Sequence, residues 1–404
     1  NICGWCARCV RRHARAMKVL LCVNSYLPDI GGKELVVHQL ATQFQALGHR
    51  VVVAGPGGVR KFRGFHFGYP VRRWPKLPGI SREVSEYAAM VAARLWGGFD
   101  VVHAHTTYPN GYAAARTRRF SAAPLIVTPH GEDINVIPEL GFGARMDPQK
   151  NSKIEFALGH AARATAISET IAASLGDAGV AASRIVRIPN GVDLERFRSK
   201  PAFDVTGYLG FPENSFLVVS IGNYHRRKGH EELVESVRIA SSVEPSIRLA
   251  IVGRTSDELC RKVNDTGMAD RVRFVGTLPV PMPGGDGSPD VLAALLRRAQ
   301  AYVSASVGEG AEGLSLGLLE GMASGACPVV TSISGNRDVI CHEGNGLLVA
   351  PGKPAVMAEA LVRLVQNDVL RQRLRARARK FVADYGWRAV AQRYLDLYAE
   401  VCRP

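Results

Sequence analysis

No stretch of this 404-residue chain holds about 18 consecutive apolar residues, so nothing in it reads as a bilayer-spanning helix. Cysteine is sparse. Five of the eight (Cys22, Cys260, Cys327, Cys341 and Cys402) are scattered without regular spacing, which argues against a disulfide framework and for reduced thiols in the cytoplasm. The other three form Cys3-x-x-Cys6-x-x-Cys9. With only His13 as a distant further donor and no second cysteine pair, they fall short of a closed metal site. Met17-Lys18-Val19-Leu20-Leu21 reads as a start running directly into a buried strand, too short an apolar run for a secretory leader. Residues 1–16 are therefore expected to be a disordered upstream extension. Acidic residues are in the minority, 36 against 51 Lys and Arg, for a net charge of +15. That balance favours anionic partners: phosphorylated ligands, nucleic acid or a membrane surface. A content of 47% hydrophobic and 22% charged residues excludes a disordered or fibrous chain. At about 150 residues per domain, the length suggests two or three domains.

What is present is alternation. Short apolar runs at 18–23, 51–54, 100–105, 125–128, 164–167 and 185–188 are separated by helical lengths, as at 33–47, where Leu35, Val36, Leu40, Phe44 and Leu47 share a face that Gly48 ends. After Asn190-Gly191 the pattern restarts, with runs at 216–221, 248–252, 272–275, 301–304 and 327–331. Strands spaced by helices imply βαβ units and parallel sheets. The expected fold class is α/β, two doubly wound Rossmann-like domains facing across a cleft. They cover residues 17–192 and 200–385, with a linker over 192–203. An amphipathic helix over 386–404 is expected to cross back to the first domain. Ligands in such folds bind at the carboxyl ends of the strands.

Two glycine clusters imitate a dinucleotide fingerprint. Gly55-Pro56-Gly57-Gly58 has Arg60 where the third glycine belongs. Gly308-Glu309-Gly310-Ala311-Glu312-Gly313 matches letter for letter, but no acidic residue ends the following strand to hold the ribose of NAD. Its physics stands without that label, because a glycine loop feeding a helix N-terminus offers N–H groups and a dipole to phosphate. In the stretch that follows, Glu312 and Glu320 lie eight residues apart, bracketing Gly313-Leu314-Ser315-Leu316. One carboxylate in the loop and one on the helix can hold two hydroxyl-bearing parts of one ligand, with a diphosphate across the amides between.

These residues resemble the E-x7-E motif of glycosyltransferase family 4, a group with the GT-B fold that moves sugars from nucleotide donors with retention at the anomeric carbon. The resemblance runs from Met17 to about Tyr398. It is carried in order by Gly31-Gly32-Lys33-Glu34, Thr128-Pro129-His130-Gly131-Glu132-Asp133, Ile188-Pro189-Asn190-Gly191-Val192-Asp193, Lys228-Gly229, the glutamate pair, and Gly344-Asn345-Gly346-Leu347-Leu348-Val349. It implies that Glu312 holds donor sugar hydroxyls, Glu320 the ribose, and Lys228 the departing diphosphate. It further implies that Gly31 and Gly32 admit the phosphates to the backbone, and that His130 lies beside the anomeric centre or the acceptor. A departure is Gly222-Asn223, where many relatives have Gly-Arg; Arg226 or Arg227 would replace that cation. No Asp-x-Asp occurs in the chain, so no metal and no cofactor is expected.

Between Arg60 and Lys76 lie Arg60, Lys61, Arg63, Arg72, Arg73 and Lys76 with interleaved aromatics and no acid, followed by an amphipathic segment over 81–96. This reads as an acceptor or anionic-membrane side, to which His105 is added, or as a solvated face over an ordinary helix. The expected partners are a nucleotide-sugar and a glycan or lipid-linked acceptor, without nucleic acid, at a cytoplasmic location peripheral to the membrane. Two rivals stay open: a sugar-nucleotide epimerase using His130, Glu132, Asp133 and Glu312, and a basic nucleic-acid-binding module.

Overall fold

The computed structural model describes residues 15–56, 67–74, 79–281, 287–310 and 312–403. The Cys3, Cys6, Cys9 and His13 cluster, residues 60–65 of the basic segment, and Lys76 lie outside the described residues. The expected architecture is the one observed. The first sheet contains β1 (Lys18–Cys22), β2 (Arg50–Pro56), β3 (Val71–Trp74), β4 (Val101–Ala104), β5 (Leu125–Val127), β6 (Arg163–Ala166) and β7 (Ile185–Arg187). Its order is β3-β2-β1-β4-β5-β6-β7. The second contains β8 (Phe216–Ile221), β9 (Ile247–Val252), β10 (Val272–Gly276), β11 (Ala301–Ser304), β12 (Cys327–Thr331) and β13 (Leu347–Val349), in the order β10-β9-β8-β11-β12-β13. Every pairing between these strands is parallel. Helices cover both faces of such a sheet, which is why the central strands are apolar along their whole length rather than alternating.

The strand order reverses at β1/β4 in one sheet and at β8/β11 in the other, and each reversal opens a crevice at the carboxyl ends of those strands. Into the first crevice run the segment after β1, with Gly31 at the N-cap of the helix Gly32–Ala46, and the segment after β4, with His105. Into the second run Gly222–Lys228 after β8 and the glycine loop after β11. Sequence motifs far apart in the chain converge here because the winding brings these four loops to one edge.

The segment expected as a linker, 192–203, is not an open connector. Asp193 accepts from Arg196 N at 3.0 Å and caps the helix Leu194–Arg198, whose Phe197 is buried. A capping aspartate followed by one amphipathic turn nucleates a short helix that an apolar anchor then holds. That helix packs on the helices Val291–Arg298 and Leu316–Ser324 of the second domain. Strands β3 and β13 were missed as strands because they are short edge strands of four and three residues, β3 carrying two arginines. The helix Trp387–Val401 buries Trp387, Val390, Ala391, Tyr394, Leu395, Leu397 and Tyr398 in the core of the first domain. Tyr398 meets Phe44 edge-on with ring centroids 5.6 Å apart.

Candidate active site

The second domain builds the more highly charged wall. Ser315 accepts from Leu318 N and caps the helix Leu316–Ser324, leaving the N–H groups of its first residues pointed out of the helix. The helix can sit this close to β11 because two of its positions lack a side chain. A Cβ on Gly321 would come within 2.7 Å of Tyr302 Cγ, and one on Gly317 within 2.7 Å of the Tyr302 hydroxyl. Just before this helix, Glu312 is 7% exposed, pairs with Lys228 Nζ, and accepts from Ser306 Oγ at 2.7 Å. Burial alone would raise the Glu312 carboxyl; the charges of Lys228 and Arg227 outweigh it and hold the carboxyl below its ordinary value. The two residues assigned separate duties by the resemblance therefore form one unit. Lys228 is held in turn by its backbone: Gly229 adopts φ +63°, and a Cβ there would collide with Ala305 O.

Glu320, on the helix, is in a different state. It is 8% exposed beside the Arg196–Asp290 ion pair, whose N···O distances are 2.6 and 3.1 Å. Burial pushes its carboxyl from 4.5 up to about 7; Arg196 opposes the rise, while Asp290 and Asp193 add to it. Of the two arginines considered for the missing cation, Arg226 turns away to Glu231 and Glu232, both at 3.1 Å. Arg227 remains on the cleft side, its guanidinium 4.8 Å above the Phe142 ring of the first domain.

The first domain supplies the opposite wall. His130 follows β5; its backbone N–H donates to Asp133 Oδ1 at 2.9 Å, and Thr107 N donates to Asp133 Oδ2 at 2.7 Å. Its ring stacks with His105, centroids 5.5 Å apart, and His130 Nε2 lies 3.2 Å from His105 Nδ1. Burial, His105 and the charge of Lys33 hold the His130 imidazole well below its ordinary value. A Cβ on Gly31 would come 2.5 Å from Glu34 Oε2, whereas one on Gly32 meets nothing within 4 Å, so only Gly32 leaves open room.

The two walls touch. A Cβ on Gly313 would lie 2.9 Å from Ile167 Cδ1 and 3.5 Å from His130 O. Asn135 Nδ2 donates to Gly310 O, and Asn190 Nδ2 to Leu314 O, both at 2.8 Å. Ile137, Leu140 and Phe142 pack with Ile333 across the same boundary.

The structure thus brings together Gly31, Gly32, His130, Arg227, Lys228, Glu312, Gly313, Leu314, Ser315, Leu316 and Glu320 around the crevice. Of the expected acceptor-side residues among the described ones, Arg72 and Arg73 are not brought there, and His105 reaches only the back of the wall. Arg73 turns into the fold, donating to Leu27 O at 2.6 Å and Pro56 O at 3.1 Å. Arg72 is exposed on edge strand β3. His105 is fully buried behind His130 and presents no face to an acceptor. Sequence reasoning passed over Ser306, for which no motif signals, and Lys33, whose only signal is its place after the glycine pair. Lys33 Nζ bonds Asn24 Oδ1, and its charge acts on His105, His130 and Asp133.

Two parallel-sheet domains meeting in this way define the GT-B fold. Residues 30–196 match the family model "Glycosyltransferase Family 4" and residues 207–381 match "Glycosyl transferases group 1". The chain belongs to the group 1 glycosyltransferases. It is 28% identical to the phosphatidyl-myo-inositol mannosyltransferase of Mycobacterium leprae over 392 residues, 95% of this chain and 96% of that one. It is 27% identical to the GDP-mannose:cellobiosyl-diphosphopolyprenol alpha-mannosyltransferase of Xanthomonas oryzae, again over 95% and 96% of the two chains. In fold it is similar to Anabaena HepE in complex with UDP and glucose, with a TM-score of 0.78 at 19% identity over 95% of this chain and 100% of that one.

Proposed function

We propose that the chain is a metal-independent, retaining hexosyltransferase that carries a sugar from a nucleotide-sugar to a hydroxyl of a lipid-linked or glycan acceptor. The observation that carries this reading is the Lys228–Glu312–Ser306 unit beside the capped N-terminus of the helix Leu316–Ser324, directly across from His130. A donor diphosphate lying over Gly313 to Leu316 would meet N–H groups and the positive helix end. Lys228 and Arg227 would then stabilise the charge that grows as the sugar–phosphate bond breaks, the task a divalent cation performs elsewhere. Glu320, buried and near neutral pH in its titration, suits the two ribose hydroxyls as donors. Glu312 orients the sugar from its position against Lys228.

Retention is supported by the state of the groups at the crevice: of the four acid–base candidates His130, Glu132, Asp133 and Glu312, three are committed or weakly basic, and Glu132 is exposed to solvent. An inverting displacement needs a carboxylate or imidazole ready to take the acceptor proton. Glu312 is committed to Lys228, Asp133 to two backbone N–H groups, and His130 is too weakly basic to accept a proton well near pH 7. In this reading the departing phosphate oxygen takes the acceptor proton on the same face. The epimerase alternative, which asks those same groups to move protons at the sugar, is not favoured. The names of the two relatives support a mannosyl donor and an acceptor carried on a lipid, and the exposed Arg72 on β3 supports a peripheral contact with an anionic membrane. No helix among the described residues is long and apolar enough to cross a membrane.

The test is incubation with a panel of nucleotide-sugars and lipid-linked acceptors in excess EDTA, followed by NMR of the anomeric configuration of the product. Transfer with retention is expected. Inversion, epimer release without acceptor, or loss of turnover on chelation restored by Mn²⁺ would each refute a stated part.

A further inference from the structure

The crevice in the first domain is backed by histidines that sugar transfer does not itself account for. His103 is fully buried and fully bonded: Nδ1 lies 2.6 Å from Tyr398 Oη on the C-terminal helix, and Nε2 lies 2.6 Å from Thr128 Oγ1. The His105 ring lies against it, tilted by 36° with centroids 4.1 Å apart, and is likewise buried. His105 Nδ1 reaches His130 Nε2 at 3.2 Å, while His105 Nε2 is buried without a hydrogen-bond partner.

That last atom decides where the protons sit. Both rings are neutral near pH 7: burial and the Lys33 charge bring His105 down to about 3, and burial, His105 and Lys33 hold His130 well below its ordinary value. A neutral imidazole carries one N–H and one lone pair, so the short N···N contact holds a single proton. Were it to belong to His130 Nε2, His105 would have to carry its own proton on the partnerless Nε2. A buried orphan donor is rarer and costlier than a buried orphan lone pair. The opposite arrangement leaves only a lone pair at His105 Nε2.

We propose that His105 is a positioning residue, donating Nδ1–H to His130 Nε2 and so holding His130 in the form that bears its proton on Nδ1. His130 then offers a ligand a hydrogen-bond donor and no basic nitrogen, because its lone pair is occupied from behind. The inference deepens the reading of the site as a sugar-transfer centre, and only its kinetic arm rests on that reading. His103, fixed by Thr128 and Tyr398, supplies the surface that sets the His105 ring plane.

The decisive measurement needs no turnover. Long-range ¹H–¹⁵N correlation of ¹⁵N-histidine-labelled protein at pH 7.5, with His130 assigned by the loss of its signals in His130→Gln, reads the tautomer directly. A protonated Nδ1 and a bare Nε2 on His130 are expected; a protonated Nε2 would overturn the proposal. The kinetic arm compares two substitutions. Asn at 105 keeps an N–H donor near the reach of the imidazole Nδ1, whereas Leu keeps the volume without a donor. His105→Leu should lower kcat about tenfold, the weight of one neutral hydrogen bond, with donor KM changed less than about twofold. His105→Asn should recover most of that loss and, unlike His105→Leu, preserve the His130 tautomer. Equal loss in both variants, with the tautomer unchanged in both, would reduce His105 to packing. Absence of any sugar transfer would count against the functional reading and leave the tautomer result to stand or fall on its own.

Discussion

Replacing Glu320 by Gln should make the ligand-free protein more stable and the nucleotide-bound protein harder to form. Burial raises the Glu320 carboxyl from 4.5 to about 7. Because the folded state holds this proton more tightly than the unfolded state, wild-type stability falls as pH rises from 4.5 towards 7 and stays lower above that. At about 1.4 kcal/mol per pH unit of displacement, ionising Glu320 costs the folded state roughly 3 kcal/mol at pH 8. Gln mimics the protonated form and removes that cost, but its amide must also be accommodated beside Arg196 and Asp290, a loss of about 1 kcal/mol. The net gain is about 2 kcal/mol, or about 4–8 °C in Tm for a domain of this size. Towards pH 5 the advantage should vanish, since Glu320 is then largely protonated in the folded protein and the loss from accommodating the amide remains. The same substitution removes an acceptor for the ribose hydroxyls, so Kd for a nucleoside diphosphate should rise about tenfold, while kcat at saturating donor changes less. Differential scanning fluorimetry from pH 5 to 8 and isothermal titration with nucleoside diphosphate provide both readings. A lower Tm for Glu320→Gln at pH 8, or unchanged nucleotide affinity, would refute the assignment.

Lys228→Ala should lower kcat by on the order of 10²-fold or more, and it should also destabilise the protein by about 3–5 kcal/mol by stranding the buried Glu312 carboxylate. Adding Glu312→Gln should restore the Tm without restoring kcat; recovery of neither would mean the pair is not the unit described. Catalysis should survive excess EDTA, as read by nucleotide release. Arg72→Ser with Lys76→Ser should weaken binding to phosphatidylglycerol vesicles about tenfold or more, at about 1 kcal/mol per basic residue near the surface. Arg73→Ala should instead lower Tm, because its guanidinium holds Leu27 and Pro56. Wild-type protein that ignores such vesicles at low salt would remove the membrane contact.

Two sheets, most of their strands and the crevice-facing motifs were readable from the chain, because parallel strands buried on both faces leave unbroken apolar runs and helices between them keep a 3.6-residue period. The Lys228–Glu312 bond was not readable. The sequence shows two charges 84 residues apart, and only the strand order, which sets β8 beside β11, makes them neighbours. Arg73 shows the same limit from the other side: in sequence it is one of a basic series, yet its place on edge strand β3 aims it at backbone carbonyls of the first domain. His105 read as an acceptor-side residue, since a histidine ending an apolar run carries no mark of what will cover it. The His103 ring and the His130 loop cover it, and that loop reaches it only because β4 pairs with β5. Local periodicity is written residue by residue, so the sequence determined the elements and their class. Burial, charge pairing and protonation depend on which loops meet after winding, and those only the tertiary structure decided.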